Sequence, residues 1–347
     1  METKMILWTL SSLLVAVSLV GCATEKKKEA VNISWPLPPD PPRVRYVRSI
    51  VDAKEVLPPK GFFKRAVSFL FGEEISPRLI RPYGLFVENP EKIWATDTEL
   101  QVVHFFDFSE KKYRQIFKLS AERLRSPVGI AVDAEKMAYV TDSELRRVFQ
   151  FGSGGQFLKA WETPFLRPTG IAIDRQRKVL YVVDTGAHRV GAYSLKGEKL
   201  FEFGKRGDGD GEFNFPTHVA VHPVTGDIYV ADSMNFRIER FTPEGKFIRH
   251  LGSAGTQIGS FSKLKGISVD AHGIVYAVDG LYDTVEMFND KGEFLMNFGR
   301  AGNHEGEFWL PGGIAVSQDQ IYVSDSYNQR IQVFQLINAS EADGELR

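Results

Sequence analysis

From about residue 80 onward, hydrophobic positions fall into short runs separated by polar turns, the spacing of β-strands rather than of helices. Gly266-Ile267-Ser268-Val269-Asp270 is apolar with little alternation, as a strand buried on both faces should be. Tyr276-Ala277-Val278-Asp279 follows as a second strand and closes on an acid. Val285-Glu286-Met287-Phe288 alternates as a third strand, and Phe294-Leu295-Met296-Asn297-Phe298-Gly299 reads as a fourth. Asn289-Asp290-Lys291-Gly292 between the last two carries hairpin-turn chemistry, as does Thr242-Pro243-Glu244-Gly245 one unit earlier.

This four-strand unit is one of six. Its opening run returns as Pro82-Tyr83-Gly84-Leu85-Phe86-Val87, Pro127-Val128-Gly129-Ile130-Ala131-Val132 and Pro168-Thr169-Gly170-Ile171-Ala172-Ile173. It returns again as Pro216-Thr217-His218-Val219-Ala220-Val221 and Pro311-Gly312-Gly313-Ile314-Ala315-Val316. The second runs end at Asp97, Asp142, Asp184, Asp232, Asp279 and Asp325, a period of 42 to 48 residues. Four short strands per period of that length predict the blades of a β-propeller. The sixth unit lacks an outer strand, because after Arg330-Ile331-Gln332-Val333-Phe334 the chain passes into the polar stretch Ser340-Glu341-Ala342-Asp343-Gly344. An unpaired blade edge would expose a row of backbone donors and acceptors. The alternating run Arg43-Val44-Arg45-Tyr46-Val47-Arg48-Ser49-Ile50-Val51 is placed to fill it. The predicted fold is therefore all-β: a six-bladed propeller with four-stranded blades, closed by an N-terminal strand. The pattern resembles the NHL repeat over residues 80–336.

Residues ahead of the repeats divide differently. Lys4 and the apolar run Met5 to Val20 form a basic and then a hydrophobic region, too short for a stable membrane span. They end at Leu19-Val20-Gly21-Cys22, which holds the single cysteine of the chain and so excludes an intramolecular disulfide. This stretch resembles the bacterial lipobox. The resemblance implies a signal peptide over 1–21, cleavage before Cys22 and lipidation of its thiol, with several acyl chains sufficing as an anchor. Ala23 at the following position resembles the outer-membrane-directed type, so the expected location is the cell envelope, in the outer membrane facing the periplasm or the cell surface. Residues 22–42 are charged and Pro-rich and predict a tether, and 43–79 hold the closing strand and an amphipathic segment at 60–74. That segment reads either as a short helix packed under the propeller or as a membrane or partner contact. Residues 80–336 form the propeller and 337–347 a polar tail.

Composition agrees with an ordinary globular protein, with 43% hydrophobic and 25% charged residues. A formal net charge of -1 supplies no electrostatic case for nucleic acid, so none is expected as a partner.

Candidate chemistry is sparse. The repeated aspartates invite a catalytic reading. Yet Asp232-Ser233-Met234-Asn235-Phe236-Arg237 and Asp325-Ser326-Tyr327-Asn328-Gln329-Arg330 set Asp, Asn and Arg at fixed offsets, which predicts turn architecture. Six-bladed relatives such as the peptidylglycine amidating lyases hold zinc on histidines just after the proline that opens an inner strand. The matching positions here are Tyr83, Val128, Thr169, Thr217, Lys265 and Gly312, none of them histidine. The Gly-rich stretch Gly204 to Phe213 is faintly like a calcium loop but lacks the later ligand spacing. One cluster predicts a divalent transition-metal site: His188 and His218, at turns on one face, with Asp210 and Glu212 in the loop between their blades. The competing reading is that both histidines hydrogen-bond on a polar rim. No catalytic residue is assigned and no resident cofactor is expected.

The loops between blades place Tyr83, Lys265, Tyr282, Trp309 and Tyr327 on one face, a composition suited to an interface. The functional expectation is a lipid-anchored, non-catalytic binding or assembly scaffold for a protein, peptide or glycan. The alternative is an envelope enzyme, lyase-like or lactonase-like, working in the central funnel.

Overall fold

The computed structural model describes residues 32–57 and 77–337. Cys22, the leader, the amphipathic segment at 60–74 and the tail beyond Ile337 lie outside the described residues. Six antiparallel sheets succeed one another along the chain as the blades of a propeller. Blade one comprises Pro82–Asn89, Lys92–Asp97, Val102–Asp107 and Lys112–Ile116, in sequence order from the axis outward. Blades two to five repeat that order, with inner strands opening at Pro127, Pro168, Pro216 and Leu264.

Blade six is completed from the other end of the chain, as the alternating run at 43–51 predicts. Its own strands are Ile314–Ser317, Gln320–Asp325 and Arg330–Leu336, and Val44–Ile50 pairs antiparallel with the last of these. Val44 and Ile50 are fully buried there. The ring is thus closed by a strand some three hundred positions distant in sequence, which satisfies an edge that would otherwise stay open.

The tether read through Pro42 needs correction. Ser34–Trp35 adds a fifth strand outside Val44–Ile50. Arg43 N–H donates to the Trp35 carbonyl at 2.6 Å and Tyr46 N–H to that of Ile33 at 2.9 Å. The Trp35 ring packs on Phe298 and Phe334, with centroids 5.9 and 5.8 Å away. A proline-rich composition hid one aromatic anchor, Trp35, which packs against the core from a partly buried position.

Blades are cemented by the aromatic residue of each second strand. Trp94, Tyr139, Tyr181, Tyr229, Tyr276 and Tyr322 occupy the same register and are all at most 2% exposed. Tyr139 and Tyr276 donate their hydroxyls to Asp133 and Asp270 of their own blades, each at 2.9 Å. At the axis, neighbouring inner strands approach so closely that a Cβ on Gly313 would collide with the Tyr83 carbonyl oxygen. Hydroxyls bridge the same seam: Ser324 Oγ donates to the Tyr83 carbonyl at 2.8 Å, and Ser326 Oγ to that of Pro82 at 2.6 Å.

The strand-end aspartates behave as architecture. Asp97 Oδ2 accepts N–H groups of Ile80 and Arg81, while Oδ1 accepts those of Glu99 and Leu100, at 2.8 to 3.1 Å. Asp142 and Asp279 repeat this. In blades four and six the Asn and Arg at fixed offsets join in. Arg237 Nε donates to Asp232 at 3.1 Å, and Arg330 Nε to Asp325 at 2.7 Å. Arg237 also donates to the carbonyls of Asp208, Gly209 and Glu212, which ties the Gly-rich loop to blade four.

A third-strand side chain lies beside each of four of these aspartates: His104, Glu239, Glu286 and Gln332. Gln332 fits neatly, since its Nε2 donates to Asp325 at 3.1 Å and its Oε1 accepts from Gly306 N–H at 2.9 Å. Glu239 occupies the same place in blade four with no exposure. Burial, only partly offset by Arg237 and reinforced by Asp232, pushes its carboxyl up to about 8. Burial and Asp279 likewise push Glu286 up to about 7.

Three outcomes are expected from these contacts. Deleting residues 43–51 should lower the melting temperature of the whole domain, and Trp35→Ala should destabilise it by about 1–3 kcal/mol. Unchanged cooperative melting of the deletion protein would exclude a closing role. For Glu239 the folded chain holds its proton more tightly than the unfolded chain does. Its contribution is therefore full below the ordinary carboxyl value and is lost as pH rises through about 8. Glu239→Gln, which installs the chemistry of Gln332, should stabilise by about 1–2 kcal/mol at alkaline pH and change little at pH about 5. Chemical denaturation at both pH values reads the difference, and an equal effect at both would mean that Glu239 carries no proton in the native state.

Candidate functional site

Because each inner strand begins at the axis on one face, the residues flanking its first position form rings. Arg81, Ser126, Arg167, Phe215, Lys263 and Leu310 precede that position in blades one to six and line the mouth of a central funnel. Tyr83, Val128, Thr169, Thr217, Lys265 and Gly312 follow it and make a second, deeper ring. A third ring comes from the residue after each strand-end aspartate: Thr98, Ser143, Thr185, Ser233, Gly280 and Ser326. The funnel encloses about 710 Å³, within the range of small-molecule sites. At the other end of the axis lies a second cavity of about 280 Å³, walled by inner-strand side chains such as Leu85, Ile171, Val219 and Val316.

Tyr83 and His218 stand between the two. They come from blades one and four, which face each other across a six-fold ring, and their ring centroids are 5.5 Å apart. His218 occupies the position that is glycine in the other five units, so its imidazole projects where the others carry no side chain. It reaches Thr217 Oγ1 at 3.2 Å. Both rings lie deep in the channel. Desolvation raises the Tyr83 phenol to about 12, with Arg167 opposing, and desolvation together with Lys265 lowers the His218 imidazole to about 3. At neutral pH the floor of the funnel is therefore a neutral phenol beside a neutral imidazole.

The funnel wall carries one sign of charge. Arg81, Arg167, Lys263 and Lys265 line it, and no carboxylate does among the described residues. Arg81 pairs with Glu99 at 3.0 Å outside the mouth. Burial lowers Lys265 from the usual ammonium value, and the fields of Lys263 and Arg167 lower it further.

The four residues expected to share a metal do not converge. His188 is buried in a turn with φ of 53°, and its Nδ1 lies 3.2 Å from both Phe215 N–H and the Phe213 carbonyl, serving one at a time according to tautomer. His218 sits on the axis against Tyr83. Asp210 is exposed and accepts from His250 Nε2 at 2.9 Å, while Glu212 pairs with Lys205 at 2.9 Å and accepts from Gly209 N–H. Among the described residues, no group of three or more His, Cys, Asp or Glu side chains could hold a metal ion. The second ring is where the amidating lyases' zinc histidines would fall. It presents Tyr, Val, Thr, Thr, Lys and Gly, a donor set that does not fit zinc.

The five face residues are divided between the funnel and its rim, with Tyr327 at the junction. Tyr83 and Lys265 belong to the funnel wall, and Tyr327 lines it at the mouth. Tyr282, Trp309 and Tyr327 are 39%, 53% and 45% exposed on the rim. Trp309 does not disappear between blades: its ring lies 5.6 Å from Tyr327, which in turn sits 5.3 Å from the Arg81 guanidinium. Sequence reasoning missed Arg167 and Lys263. The available signal was positional, since Arg81, Arg167 and Lys263 all stand immediately before the opening residue of an inner strand.

Comparison with known proteins agrees with this geometry. The NHL repeat family matches residues 165–193, 213–241 and 308–334, which fall in blades three, four and six. Peptidyl-glycine alpha-amidating monooxygenase B of Xenopus laevis is 35% identical over 131 residues, covering 36% of this chain and 14% of that protein. The curated relatives are far longer than the matched region, and the match spans 10% to 17% of their length. An auxiliary nutrient binding protein from Bacteroides thetaiotaomicron superposes with a TM-score of 0.58 at 15% identity, covering 74% of this chain and 70% of that one. A catalytically inactive virginiamycin B lyase from Staphylococcus aureus, solved with quinupristin, superposes with a TM-score of 0.56 at 13% identity, covering 74% and 95%. The chain is a six-bladed β-propeller that carries NHL repeats.

Proposed function

We propose that this protein is a lipid-anchored propeller of the bacterial cell envelope that acts as a non-catalytic scaffold, binding a protein, peptide or glycan on its funnel face. The observation that carries the reading is the contrast between rim and funnel. Tyr282, Trp309 and Tyr327 stand exposed on the rim, where large amphipathic side chains favour association. The rings inside hold hydroxyls, apolar groups and cations, with no paired carboxylates or histidine triad among the described residues.

The same fold carries a nutrient-binding protein and a lyase, so architecture alone does not choose between binding and catalysis. The donor set of the second ring favours binding. The lipobox-like Leu19-Val20-Gly21-Cys22 supports anchoring, and the charged residues between Cys22 and Asn32 would give the propeller reach from the membrane.

Two measurements test this function. Tyr282→Ala with Tyr327→Ala is expected to weaken affinity capture from envelope extracts about tenfold while leaving thermal melting unchanged, as loss of exposed aromatic anchors should. Capture equal to that of the parent protein would place the interface elsewhere, and turnover in a parallel activity screen would favour the enzyme instead. Cys22→Ala should abolish incorporation of labelled palmitate and release the protein from the membrane fraction; retention there would exclude the lipid anchor.

A further inference from the structure

Of the four funnel cations, Arg81 is paired with Glu99, and the other three have no ion-pair partner among the described residues. Arg167 and Lys263 are exposed at the mouth, Lys265 is largely withdrawn from solvent one ring deeper, and none of the three makes an ion pair among the described residues. They come from blades three and five and flank the blade-four sector of the funnel. Their fields overlap, since Arg167 and Lys263 both disfavour the charged form of Lys265. Gathering like charges around a partly desolvated ammonium is unfavourable unless a counter-charge arrives. The aspartates behind the wall do not supply it. Asp184 accepts the backbone N–H groups of Leu166 and Arg167, and Asp279 those of Ser262 and Lys263.

The rest of the sector offers what a bound oxyanion would use. Thr217 and Ser233 present hydroxyls 2.6 Å apart, and Tyr83 faces them across the axis as a protonated phenol. Phe215 and Met234 give an apolar flank beside them. A guanidinium can engage two oxygens of a carboxylate or phosphate together, and two ammonium groups add charge without directional demand.

We propose that the funnel is a binding site for a small, multiply charged oxyanion, held by Arg167, Lys263 and Lys265 against Thr217 and Ser233. This deepens the scaffold reading and rests on it, because it takes the funnel as a site of recognition rather than of turnover. Carboxylate and phosphate share the chemistry that this wall recognises, and the probes distinguish them.

Isothermal titration calorimetry of the purified protein with citrate and, separately, with inorganic pyrophosphate at low ionic strength is the test. Saturable one-to-one binding of at least one probe is expected, weakening as salt is raised. Lys265→Met, which keeps the stem and removes the charge, should weaken it about tenfold or more. Arg167→Gln, at an exposed position where folding is not at stake, should do the same. Arg300→Gln, outside the funnel and paired with Glu307, should leave affinity unchanged. The arm that binds more tightly names the oxyanion. Absence of saturable binding by either probe overturns the proposal, as does affinity equal to the parent in both Lys265→Met and Arg167→Gln. The Tyr282→Ala protein, changed on the rim at a residue that does not line the funnel, separates this result from the scaffold reading. Weakened partner capture with intact anion binding supports both readings, and capture equal to the parent's with intact anion binding keeps this inference while placing the scaffold's interface elsewhere. Anion binding lost in this rim variant overturns the inference, because no funnel residue has changed.

Discussion

One carboxylate per blade holds the propeller's functional face in shape. An aspartate at the end of each second strand stands where the chain enters the inner strand and where it turns toward the third. Both places expose backbone N–H groups that no sheet ladder can satisfy, and a buried unsatisfied donor costs about 1–3 kcal/mol. In blades one, two and five a single side chain with two oxygens answers both needs. In blade three both oxygens serve the strand entry, and in blades four and six the acid takes one entry N–H together with the Asn and Arg side chains of the turn. The acid is therefore spent on architecture, and the ring of six that invites a catalytic reading is withdrawn from chemistry.

With the entry to each inner strand pinned in this way, three positions per blade are carried to the axis at equal depth. Blade identity then becomes chemistry: any residue placed before the opening position, after it, or after the aspartate becomes part of the funnel wall. The repeats tolerate this because strand packing rests on other positions, notably the buried aromatic of the second strand. His218 shows the freedom and its limit. Axis glycines are demanded where a Cβ would meet the next blade's carbonyl, as at Gly313. Blade four escapes that demand, and its imidazole crosses the channel to Tyr83.

Much of the fold is legible because β-strands and hairpin turns are local, and because six imperfect copies of one unit reinforce each other. The strand runs, the closing role of Val44–Ile50, the structural use of Asp, Asn and Arg, and the exposure of Tyr282, Trp309 and Tyr327 all follow from short-range pattern and register. The metal grouping of His188, His218, Asp210 and Glu212 fails for a physical reason. Sharing a face does not bring side chains together when one is turned inward to the backbone, one lies on the axis and two are engaged in the outer loop.

The sequence by itself determined the blade count, the strand order and the positions that must be apolar, glycine or aspartate, since each of these answers a local hydrogen-bonding or burial requirement. Tertiary structure alone decided which unlike residues became neighbours. Arg167, Lys263 and Lys265 are polar residues at unremarkable places along the chain until ring closure sets blades three, four and five around one axis. Glu239 is an ordinary glutamate of an alternating strand until the Gly-rich loop and Asp232 enclose it. Trp35 belongs to a proline-rich stretch until Phe298 and Phe334, contributed by blades five and six, offer it a surface. In each case the environment is assembled from segments far apart in sequence, and burial and electric field depend on that assembly rather than on the residue.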